Sequence, residues 1–101
     1  MLLSLEPDVA VIGEAANGPA AVALAEQLRP DVVLMDIVMP EGDGIDAAAA
    51  LRSVRPEVAV VILTLYDNPQ NRERARAAGV AAFLGKHVEP EVLLSTIRQI
   101  R

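Results

Sequence analysis

The chain has 101 residues, enough for one domain with its own core, and 52% of them are hydrophobic, which excludes a disordered chain. Nine basic against fourteen acidic residues leave a net charge of −5, the wrong sign for a nucleic-acid surface. With no cysteine, disulfides and thiolate metal sites are excluded; with no apolar run beyond strand length and no basic leader before Met1–Leu5, the reading is a cytoplasmic protein that does not span a membrane.

Val9-Ala10-Val11-Ile12, ended by Gly13-Glu14, is a short β-branched run and reads as a strand. Asn17-Gly18-Pro19 predicts a helix start, with Pro19 preset for the first turn. Ala21, Leu24, Ala25 and Leu28 form its apolar stripe, and Pro30 ends it. Val32 to Asp36 is a second strand. The segment through Pro40 reads as a loop with a turn at Glu41-Gly42-Asp43-Gly44, which lacks the alternating acids and terminal Glu of a calcium loop. A helix follows on Ile45, Ala48, Ala49 and Arg52, closed before Pro56. Val58 to Leu65 is almost wholly apolar and is expected to be a strand buried on both faces. Asp67-Asn68-Pro69 turns into a mostly charged helix, Gln70 to Ala78, whose apolar face is reduced to Ala75 and Ala78; Gly79 suits a left-handed cap. Ala81 to Leu84 is the fourth strand, and Pro90 opens a last helix striped by Leu93, Leu94, Ile97 and Ile100.

Strand and helix alternate with short Pro/Gly links, which predicts an α/β domain with a mainly parallel sheet and right-handed crossovers. Such crossovers bring the carboxyl ends of all strands to one rim, so Glu14, Asp36, Thr64 and Lys86 should share it. Asp, Thr and Lys at successive strand ends suit a phosphoryl group. A carboxylate can accept it as a mixed anhydride, an ammonium can pair with one of its oxygens, and a hydroxyl can hydrogen-bond another. Each residue alone has a plainer reading: a loop cap, a β-forming side chain, a solvated charge. An aspartyl-phosphate hydrolase is disfavoured because the position two residues after Asp36, where such enzymes place a second carboxylate, is Val38. A dinucleotide site is disfavoured because Gly13 starts no G-x-G-x-x-G turn.

Several stretches resemble the receiver domains of two-component response regulators, above all those of regulators with a LuxR-type helix-turn-helix output. They are Gly13-Glu14-Ala15-Ala16-Asn17-Gly18, Arg29 through Pro40, Asp43-Gly44, Ile62 through Asp67, Ala78-Gly79-Val80 and Phe83-Leu84-Gly85-Lys86. The resemblance implies a flavodoxin-like (CheY-like) parallel sheet with helices on both faces, in strand order 2-1-3-4-5. It implies Asp36 as phosphoacceptor, Thr64 as switch hydroxyl, Lys86 as phosphoryl-pairing cation and Phe83 as switch aromatic. It also implies the backbone carbonyl of Val38 as a Mg²⁺ ligand, a sensor histidine kinase as partner, and transcription regulation as the process served. A signalling domain, not an enzyme, is expected. His87, where relatives carry an acid or a proline, reads as a surface variation.

Two departures shape the expectation. Relatives open with a strand ending in two acidic residues, whereas Met1 to Asp8 matches only the end of the helix after it. Residues 1–101 are therefore expected to be a receiver truncated at its N-terminus, with four strands remaining, and Mg²⁺ is expected to bind weakly because the acidic pair is absent; Glu14 is the other acid on the correct rim. No output domain, and so no direct contact with nucleic acid, is expected within the chain. The alternative is a truncated receiver serving as a phosphorylation-independent dimerisation module. A missing central strand would leave the second and third strands facing an open slot, closed either by direct pairing of Val9–Gly13 with Val32–Asp36 or by association of the chain into a homo-dimer or larger assembly; association is the expected outcome.

Overall fold

The computed structural model of the chain describes residues 17–39 and 42–100. The strand expected over Val9–Gly13, with Glu14, lies outside the described residues, and so does the choice between re-pairing and association.

The first helix, α1 (Gly18–Leu28), starts where the sequence predicts: the Asn17 side chain accepts the Ala20 N–H at 2.9 Å, and proline occupies the first turn. It ends at Arg29, whose φ of 50° lies in the left-handed region and whose N–H donates to the Ala25 carbonyl. The buried stripe is rotated from the expected one. Ala21, Val22 and Ala25 face the core, while Leu28 is 39% exposed.

Strand β1 (Val32–Met35) is followed by β2 (Val38–Met39) and β3 (Gly42–Asp43), which pair antiparallel as Val38↔Asp43 and Met39↔Gly42. A small ribbon thus replaces the expected plain loop. Next come α2 (Gly44–Val54), β4 (Ala59–Thr64), α3 (Pro69–Ala78), β5 (Ala82–Gly85) and α4 (Pro90–Ile100). Asp43 caps α2 and Asn68 caps α3, whose end is Gly79 at a φ of 82°.

Among the described residues the parallel sheet has three strands, in the order β1-β4-β5. Val32–Met35 lie in register with Ala59–Ile62, and Val61–Thr64 with Ala82–Gly85. Side chains alternate between the two faces, as the two-residue period of a strand demands. Val33, Met35, Val60, Ile62 and Phe83 join the larger core with Ala25, Ile45, Ala48, Leu51 and Ala75 of the first three helices. Val32, Leu34, Leu63 and Leu84 join Leu93 and Ile97 of α4 on the other face. Helices therefore cover both faces. Strand β4 is central and buried from Val60 to Thr64, but its expected last residue, Leu65, leaves the sheet and is 61% exposed.

Candidate functional site

The register fixes the rim. Met35 ends β1, so Asp36 is the first residue beyond the sheet; Thr64 ends β4; Gly85, opposite Thr64, ends β5, so Lys86 is also one residue beyond. The Lys86 N–H donates to the Thr64 carbonyl at 2.8 Å, which ties the two strand ends together. From there the Lys86 ammonium reaches Asp36 and forms an ion pair with Oδ2 across fifty residues of sequence. The side chains are 39% and 29% exposed, so a small group can reach the pair from solvent.

The other carboxylate oxygen of Asp36, Oδ1, is buried with no hydrogen-bond partner. Such an oxygen forfeits solvation and marks a place for a cation or donor. Thr64 is fully buried, and its Oγ1 accepts the Tyr66 N–H at 3.0 Å, leaving its own O–H to donate.

Backbone contacts hold Asp36 in place. Gly44 donates its N–H to the Ile37 carbonyl at 2.7 Å, and a Cβ on Gly44 would overlap the Asp36 carbonyl oxygen. Asp43 accepts the Ile45 N–H at 2.7 Å through Oδ1, while its Oδ2 pairs with Arg74 of α3 at 3.1 Å. Val38, which starts β2, is 61% exposed at this rim. His87 is exposed in the turn after Lys86.

Phe83 is half-buried on β5, and the Arg72 guanidinium lies 4.9 Å from its ring centroid. Arg72 also grips Asp67 in a two-pronged pair, Nε to Oδ1 at 2.6 Å and Nη2 to Oδ2 at 2.7 Å. That hydrogen-bonded pairing holds the Asp67 carboxyl below the usual aspartate range. The contacts of Arg72, Asp67 and Arg74 were not legible in the sequence. Their signal, charges at the start of an exposed helix, is the same as that of ordinary solvated residues.

For a divalent cation, the buried, unpartnered Oδ1 of Asp36 is a fitting first ligand. No cluster of three or more His, Cys, Asp or Glu able to hold a metal occurs among the described residues. Mg²⁺ tolerates such sparse protein ligation, since it keeps several waters and binds through one or two carboxylates plus phosphate oxygens.

Comparison with known proteins gives a consistent result. The family model of the response regulator receiver domain matches residues 1–98. The chain is 39% identical over 97 residues to the transcriptional regulatory protein YxjL of Bacillus subtilis, covering 96% of this chain and 44% of YxjL. It superposes with a TM-score of 0.89 on a DNA-binding response regulator of the LuxR family from Staphylococcus aureus, at 31% identity, covering 97% of this chain and 82% of that one. It matches the signal receiver domain of NarL from Mycobacterium tuberculosis with a TM-score of 0.85 at 36% identity, covering 95% and 81%. The chain spans less than half the length of the curated relatives it matches.

Proposed function

The chain belongs to the receiver domains of two-component response regulators, the phosphoacceptor signalling domains of phosphorelays, and on that premise we propose that it accepts a phosphoryl group on Asp36. The observation that carries this reading is the Asp36–Lys86 pair at the sheet rim, with one carboxylate oxygen buried and unpartnered beside it. Receiver domains are phosphorylated by sensor histidine kinases, so the donor is a phosphohistidine. A carboxylate oxygen of Asp36 attacks phosphorus, the P–N bond breaks, and the imidazole leaves with the electron pair and takes up a proton. Lys86, already beside the carboxylate, is positioned to pair with a phosphoryl oxygen as negative charge accumulates. The Thr64 hydroxyl, whose proton is uncommitted, donates to another. Phe83 is the aromatic that responds to this change. Asp36 and the backbone carbonyl of Val38 would hold Mg²⁺, which when bound neutralises phosphoryl charge. Transcription is the process we assign to the switch, because YxjL is a transcriptional regulatory protein.

Incubation with acetyl phosphate and Mg²⁺, followed by intact-mass analysis, tests the assignment. An acid-stable, base-labile adduct of one phosphoryl group is expected, absent from Asp36→Asn and much reduced when the metal is chelated. Equal labelling of the Asn variant would reject Asp36 as the acceptor.

A further inference from the structure

Lys86 is delivered by a weakly anchored part of the fold. Among the described residues β5 pairs only with β4, and all four of its residues are half-buried. The neighbouring helix α3 buries a single residue fully, Ala75. Elements with so little apolar burial open easily. Holding an ammonium opposite a reacting carboxylate nevertheless demands placement to a fraction of an ångström.

On the sheet side the end of β5 is fixed by the Lys86 N–H bond to Thr64. On its outer side the link is Arg72. Its guanidinium stacks on Phe83 and is gripped by Asp67, whose Oδ2 lies 3.8 Å from where a Cβ on Gly85 would stand. Phe83 and Gly85 are two apart on the strand and share one face. The Asp67–Arg72 pair therefore covers both positions that immediately precede Lys86 on that face.

We infer that Arg72 is a positioning residue for phosphoryl transfer: by bridging Asp67 and Phe83 it clamps the outer face of β5 and so holds Lys86 against Asp36. The inference rests on the phosphoacceptor reading, but its structural half is measurable without any donor.

The test compares the wild-type chain with Arg72→Gln, which loses cation and fork, and Arg72→Lys, which keeps the cation and loses the fork. Two quantities are read: the labelling rate of Asp36 against acetyl phosphate concentration, and amide hydrogen exchange at Lys86 relative to Ile62 in central β4. Arg72→Gln should lower the saturating labelling rate about fivefold, the size of one exposed cation–aromatic contact, at an unchanged half-saturating donor concentration. Lys86 exchange should quicken by a similar factor while Ile62 exchange does not, and Arg72→Lys should recover part of both. Unchanged Lys86 exchange, or equal acceleration at Ile62, overturns the clamp. If wild-type Asp36 takes no label, the phosphoacceptor reading falls separately, and selective acceleration at Lys86 then decides the clamp alone.

Discussion

Asp36 is held by backbone contact as well as by its charge partner. The carbonyl of Asp36 lies where a side chain on Gly44 would have to be, and the Gly44 N–H closes the segment onto Ile37. Gly44 therefore acts through close approach, whereas a Cβ on Gly42, two residues earlier in β3, would meet nothing within 4 Å. Gly44→Ala should cost about 2 kcal/mol or more, as overpacking against backbone does, while Gly42→Ala should stay within about 0.5 kcal/mol of wild type. Urea denaturation of the two variants side by side checks the contrast. A near-neutral Gly44→Ala would mean that the segment around Asp36 is free to shift. Gly79 is constrained differently: its φ of 82° is strained for any side chain, and a Cβ there would run into the Arg52 side chain that lies over it.

At the scale of elements, α3 carries most of the ion pairs found among the described residues. Arg72 pairs with Asp67, Arg74 with Asp43, and Arg76 with Glu73 one turn away, while Arg52 of α2 donates to the Gly79 carbonyl at its end. The hydrogen bond from Arg72 lowers the pKa of Asp67, and that from Arg76 lowers the pKa of Glu73. A carboxyl whose folded pKa lies below its unfolded value binds fewer protons folded than unfolded. Its stabilising contribution is complete above the unfolded pKa and disappears as pH falls through the folded one. For Asp67 that loss lies below pH 3.8, its ordinary value. The difference in urea midpoint between wild type and Asp67→Asn should therefore be constant from about pH 5 to 7 and shrink once pH drops below 3.8. A difference that instead shrank between pH 5 and 7 would show that Asp67 is not stabilised by Arg72.

At the scale of the whole molecule, the described residues form two cores of unequal size, one on each face of the sheet. The larger joins α1, α2 and α3 to the sheet; the smaller rests on Leu63, Leu93 and Ile97, with half-buried Leu34, Leu84 and Val88 around them. Leu51, fully buried in the larger core, touches the layer through which α2 is tied to the sheet. Leu51→Ala should destabilise the chain by about 2–5 kcal/mol, a large share of the roughly 5–15 kcal/mol that hold a domain together. Thermal and urea unfolding of this variant measure it, and a loss below about 1 kcal/mol would mean that the layer collapses around the cavity.

Local chemistry was legible along the chain because it depends on neighbours in sequence. Asn17 and Asn68 capped helices as read, Gly79 took the left-handed end, and the runs around Val33, Ile62 and Phe83 formed parallel strands. The strand-end positions of Asp36, Thr64 and Lys86 followed from that alternation, because right-handed crossovers leave one rim for every carboxyl end. How the elements pack on one another was not legible. The β2–β3 ribbon, the rotated stripe of α1, the exposure of Leu65 and the Arg72 bridge to Phe83 all depend on which elements come to lie side by side. An arginine on a charged helix reads as solvated until an aromatic ring is brought beneath it. By itself the sequence determined which residues sit at strand ends, through periodicity and capping; tertiary structure alone decided which of them touch, because an ion pair between residues fifty apart exists only once the sheet has closed between them.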